Sequence, residues 1–113
     1  MVVAQRTELR FYLWGDGTMT KAFLEITLTI APEQRAAAGA VYAKYREPFL
    51  STIAGAQSKA LLVRSEDVQV LHGFDSTANA ERYLQSPLFQ QDVVAALKPC
   101  LKANPEIRIY ECA

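Results

Sequence analysis

Histidine occurs once in this chain and cysteine twice, and those scarcities exclude a good deal of chemistry. Two cysteines, Cys100 and Cys112, are too few and sit too late for a disulfide scaffold, and no CxxC or Cys/His spacing offers a tetrahedral metal cage. Neither a metal site nor a cofactor is expected, and this cysteine usage fits a reducing, cytoplasmic compartment. Net charge is absent too: twelve Lys and Arg oppose twelve Asp and Glu. Without a field to collect phosphates, nucleic acid is not an expected partner. No run approaches the roughly 18 apolar residues that a bilayer span requires. The opening MVVAQRTELRFYLWGDG also lacks a basic start leading into a long apolar stretch. A soluble, unsecreted protein with no membrane partner is expected. Gly15 and Gly17 precede no helix, so no phosphate loop forms and neither ATP nor NAD has a seat.

What remains is a chain of 113 residues, half of them hydrophobic, enough for one domain with one core. AFLEITLTI, Ala22 to Ile30, alternates with period two and predicts a strand. Pro32 suits a first helical position, Glu33 the first turn, and Gly55 a stop. Between them Ala37, Val41, Tyr45, Phe49 and Ile53 recur every fourth residue as a buried stripe, and Pro48 is expected to break or kink the helix. Lys59 to Arg64 and Val68 to Phe74 flank the polar SED and predict a hairpin. Asp75 or Ser76 caps a helix through TANAERYLQ. A second piece, started by Ser86 and Pro87, carries Phe89, Val93, Leu97 and Leu101 on one face. PEIRIYEC reads as the fourth strand.

Strand, helix, strand, strand, helix, strand is the split βαβ, ferredoxin-like α+β order, which folds into a four-stranded antiparallel sheet with both helices on one face. Strand parity then sends Phe23, Thr27, Thr29, Leu62 and Tyr110, with Glu25, Arg64 and Arg108, to the other face. Burying an aromatic is worth about 2 kcal/mol, so pairing with a second copy as a homodimer is the expected way to cover that face. Residues 1 to 21 fall outside this core, with 22 to 113 forming the domain. The segment ELRFYLWGDGTMTK is expected to be an extra edge strand or an arm over the partner. The alternative is translation from Met19, which makes the first eighteen residues an upstream extension.

The stretches FLEITLTI, REPFLSTIAGAQSKALLV and GFDSTANAERYLQSPLFQQDVVAALKP resemble the dimeric α+β barrel superfamily that includes antibiotic-biosynthesis monooxygenase domains. That resemblance implies two sheets pairing into a barrel at a dimer interface, and a ligand cleft between each sheet and its own helices. It implies no single reaction: cofactor-free oxidation of aromatic polyketides, haem handling and lactone isomerisation all occur on this fold. The haem-degrading branch uses an Asn, Trp and His set on particular elements. Here Trp14 precedes the core and His72 lies within a strand, so haem is not expected.

His72 shares parity with Val68, Val70 and Phe74 and should face the helices, either as a proton-transfer group or as a neutral core imidazole bonded to a carbonyl or a tyrosine hydroxyl. Tyr42, Tyr45, Phe49, Phe74 and Tyr83 are the aromatic candidates for gripping a flat apolar ligand, as well as ordinary core filler. Glu25, Arg64 and Arg108 read as cross-strand or interface pairs. Glu33, Arg35, Lys44 and Glu47 read as a solvated helix face. Cys100 has no second histidine to activate it and reads as core. The functional expectation is a homodimer that binds a small apolar, aromatic molecule, with His72 as base in a cofactor-independent monooxygenase. The rival is a ligand-binding or stress-response dimer without turnover.

Overall fold

The computed structural model describes residues 19–113, so the expectations placed on residues 1 to 18 lie outside the described residues. Alternation shapes the sheet. In β1 (Ala22–Leu28) the residues Ala22, Leu24, Ile26 and Leu28 are buried while Phe23, Glu25 and Thr27 are only half-buried, the pattern expected where one face meets a core. β2 (Ala56–Val63) and β3 (Val68–Phe74) form the hairpin, and β4 (Glu106–Glu111) closes the chain. The order across the sheet is β2-β3-β1-β4, with every neighbour antiparallel, and the helices pack on one face. This is the expected ferredoxin-like α+β architecture.

The first helix begins with a 3-10 turn, Pro32–Gln34, and continues as α1 (Arg35–Thr52). The expected break at Pro48 does not occur. Proline forfeits the bond of its missing N–H and its ring crowds the carbonyl four residues back, but here both costs fall close to the helix end. Hydroxyls of Ser51 and Thr52 donate to the carbonyls of Glu47 and Pro48, and Phe49 beside the proline is fully buried, so packing holds the last turn in place. Gly55 then turns the chain with φ 79°, and its carbonyl accepts from the Asp75 amide at 3.0 Å. The stripe is also displaced at its start: Ala38 is buried and Ala37 exposed, because a repeat of four drifts off a helix of 3.6 residues per turn.

Ser76, rather than Asp75, caps α2 (Thr77–Leu84) by accepting from the Asn79 amide at 3.1 Å. Asp75 accepts instead from the Asn79 side chain. Ser86 repeats the device, its hydroxyl accepting from the Phe89 amide. The following segment winds as a π-helix over Leu88–Val93, one α-turn over Val94–Leu97 and a 3-10 turn over Lys98–Cys100, and it buries Phe89, Val93 and Cys100. No helix among the described residues is long and apolar enough to cross a membrane.

The opposite face of the sheet carries the residues that parity sent there. Phe23 stands opposite Tyr110 and Glu25 opposite Arg108, while Leu62 is 42% exposed and Tyr110 50% exposed. Of the three charged residues expected to pair across strands or at an interface, the two arginines pair locally instead. Arg108 pairs with Glu106 at 3.0 Å, and Arg64 holds Asp67 with two bonds of 2.8 Å across the hairpin turn.

Candidate functional site

The layer between sheet and helices is filled unevenly. At the end where Phe74 pairs with Ala22 and Ala56, aromatic rings interlock: Phe49 meets Tyr83 edge-on at 4.9 Å, His72 at 5.1 Å and Phe74 at 5.5 Å, and Tyr83 meets Phe89 at 5.2 Å. At the other end α1 presents Ala38 and Gly39. A Cβ at Gly39 would meet nothing within 4 Å. The outcome is a cavity of about 270 Å³, floored by Ile26, Leu28, Val68 and Val70 and roofed by α1 and by Phe89, Val93 and Leu97. The exposed Val63, Val94 and Lys98 mark its mouth.

Four of the six aromatic and imidazole candidates line this cavity: Tyr42, Tyr45, His72 and Tyr83. Phe49 and Phe74 do not line it; both are fully buried in the ring cluster behind it. The Tyr42 hydroxyl is committed, donating to the Lys59 carbonyl at 2.9 Å. The Tyr83 hydroxyl is buried with no partner, and burial pushes its pKa upward, so it is a donor at neutral pH.

His72 is 2% exposed. Its Nδ1 lies 3.1 Å from the carbonyl of Leu24, its cross-strand neighbour, and a carbonyl can only accept, so the proton sits on Nδ1 and Nε2 carries the lone pair. Burial drives its pKa down to about 3, with the nearby Lys59 charge acting in the same direction. The ring is therefore a neutral hydrogen-bonding group, and a weak acceptor of a full proton.

Three cationic residues line the cavity that were not picked out as site residues from the sequence: Lys98 at the mouth, and Lys59 and Arg35 deeper in the wall. Lys59 is 5% exposed and stands beside His72 across the β2–β3 ladder, its Nζ over the rings of Phe49 at 5.2 Å and Tyr42 at 5.7 Å. No carboxylate among the described residues forms an ion pair with it. Burial, and then the Arg46 charge, lower its pKa to about 8. Its inward aim was legible, since it shares parity with Leu61 and Val63. Arg35, expected on a solvated face, also lines the cavity: one Nη donates to the Ser65 carbonyl at 3.1 Å and its Nε is buried without a partner. It lies one helical turn before Ala38 and Gly39, which puts it on the stripe. Glu33, Lys44 and Glu47 are exposed, as that face was expected to be, and Cys100 is buried. Among the described residues no three potential metal ligands gather.

A four-stranded antiparallel sheet of this order with its helices on one face is the fold of solved antibiotic-biosynthesis-monooxygenase-like domains. A Caulobacter crescentus protein named as a candidate antibiotic biosynthesis monooxygenase superposes with a TM-score of 0.72 at 16% identity, covering 85% of this chain and 92% of its own. A conserved Methanosarcina mazei protein gives 0.71 at 18% identity, covering 83% and 94%. A Nitrosomonas europaea protein of unknown function gives 0.67 at 25% identity, covering 85% and 92%. No protein-family model matches the chain and no curated protein matches its sequence. What the chain shares with these neighbours is their fold.

Proposed function

We propose that this protein binds a small, largely apolar, aromatic molecule in the cavity between sheet and helices, as a homodimer joined through the opposite face of the sheet. The observation that carries the reading is the cavity itself: apolar walls with a few convergent polar groups, two of which, Tyr83 Oη and Arg35 Nε, are buried without a partner. Its volume lies near the low end of ligand sites, which run from about 300 to 1,000 Å³, so one or two rings fit better than four. Tyr42 and Tyr45 on α1 flank the ligand, and Tyr83 donates to it. The half-exposed Leu62 and Tyr110 support pairing of two sheets.

The experiment is a thermal-shift screen of mono- and bicyclic aromatics, because a ligand that binds the native state raises Tm by mass action. A Tm that no member of the panel moves would sink the reading. Native mass spectrometry tests the homodimer separately, a monomer at high concentration being the contrary result.

A second reading is cofactor-independent oxygenation, favoured by the names of the structural neighbours and by His72 in the cavity wall. A base removes a proton from a ring-activated CH₂, the carbanion is oxidised by O₂, and CH₂ becomes C=O while the second oxygen atom leaves as water. His72 is the proton acceptor named by the sequence, although its low pKa makes it weaker in that role than a deprotonated Lys59. Oxygen uptake with polyhydroxylated aromatics measures turnover, and equal rates in the native protein and His72→Ala would remove His72 from the mechanism.

A further inference from the structure

We infer that the cavity is a site for a small apolar acid, whose anionic group sits against Lys59 Nζ while its hydrocarbon body extends along β2 toward the mouth. This rests on the ligand-binding reading above and names the ligand class. Three observations lead to it. Lys59 is an almost fully buried ammonium set in the wall of an apolar cavity, with aromatic faces beneath it and no carboxylate among the described residues to neutralise it. A buried charge left in that state is costly, and an anion arriving from outside supplies the missing partner. The rest of the lining has the same sign: Arg35 and Lys98 are cations and no aspartate or glutamate is present.

The third observation is an unused donor close to the Lys59–His72 pair, His72 having already given its own N–H to the Leu24 carbonyl. His72 is its neighbour across the ladder, and Tyr83, whose ring lies 5.6 Å from that of His72, holds a buried hydroxyl with no acceptor. An oxygen anion beside Lys59 gives that hydroxyl an acceptor, which a cation or a pure hydrocarbon would not. Toward the mouth the walls turn to Leu61, Val63 and Leu97, which suit the apolar body. The lowered pKa of Lys59 follows from the same burial and reverses when an anion binds.

The test is calorimetric titration of the full chain at pH 7 with three probes of one shape: 2-naphthoate, its neutral amide 2-naphthamide, and the cationic 2-naphthylmethylamine. The acid is expected to bind about ten- to a hundredfold more tightly than the amide, the amine weakest, from the charge-assisted bonds alone. In Lys59→Met the acid should fall to the affinity of the amide while the amide itself is unchanged. Lys59→Gln, which keeps the length and some polarity, should lose the acid preference as well. Thermal unfolding of the same variants guards against a folding artefact, since an uncompensated buried ammonium predicts a higher Tm in Lys59→Met. Equal affinity of acid and amide for the native protein would overturn the acid site and leave the ligand-binding reading standing. If none of the three binds and the wider aromatic panel is also silent, both readings fall together.

Discussion

The two ends of the layer between sheet and helices are built by the same elements and reach opposite states. At one end Phe49 and Phe74 are fully buried in a ring cluster with Tyr83; at the other, beneath Ala38 and Gly39, about 270 Å³ stays open. One contribution to the difference comes from α1. α1 presents small residues in its first turns and large aromatics in its last, so its two halves respectively spare and fill the space beneath them. Stability is concentrated where the rings interlock, and capacity for a ligand where they are withheld.

The packed end should break most severely. Phe49→Ala removes the ring that touches His72, Phe74 and Tyr83, and is expected to cost about 3–5 kcal/mol in denaturant unfolding, as large-to-small core changes do. Lys59→Met, at the inner wall of the cavity, should act in the other direction. A pKa of about 8 against an ordinary 10.5 means the unfolded chain holds that proton more tightly, so the penalty is full below pH 8 and is lifted as pH rises from 8 to 10.5. Removing the amine is expected to stabilise the protein at neutral pH by on the order of 2–3 kcal/mol.

His72 sets an acid limit by the same sign. Its folded pKa of about 3 lies below the ordinary 6.5, so the unfolded state takes up the proton first and stability drops as pH falls below 6.5 toward 3. About 1.4 kcal/mol per pH unit is the slope expected from this group, and His72→Gln should flatten the curve in that window. The smallest effect belongs to Gly39→Ala, which is expected to gain about 0.5–1 kcal/mol, because the new methyl meets open space and helix propensity rises. Gly39→Leu sharpens the contrast: it should fill the open end, abolish ligand-induced Tm shifts and leave the fold intact.

Much of the frame was legible in the sequence. Alternation in AFLEITL, the Ser76 cap and the turn at Gly55 are local signals, and each element they announced is present. Of the break or kink expected at Pro48 the break is absent, because burial of Phe49 holds the last turn against the local cost of proline. The site was half legible. His72, Tyr42, Tyr45 and Tyr83 were singled out by chemistry and parity, but Phe49 and Phe74 belong to the cluster behind the cavity. Lys59 and Arg35 were passed over because a lysine in a strand and an arginine on a helix are ordinarily solvated. Their burial depends on what lies opposite, and no local pattern carries that.

The chain by itself determined the order of strands and helices and the side each presents inward, because periodicity and turn chemistry are properties of neighbouring residues. Tertiary structure alone decided that Gly39 would lie over a gap and that Lys59 would stand beside His72 without a counter-charge among the described residues. Cavities and buried charges arise from residues distant in sequence meeting, or failing to meet, across a layer, and only the packed molecule sets those distances.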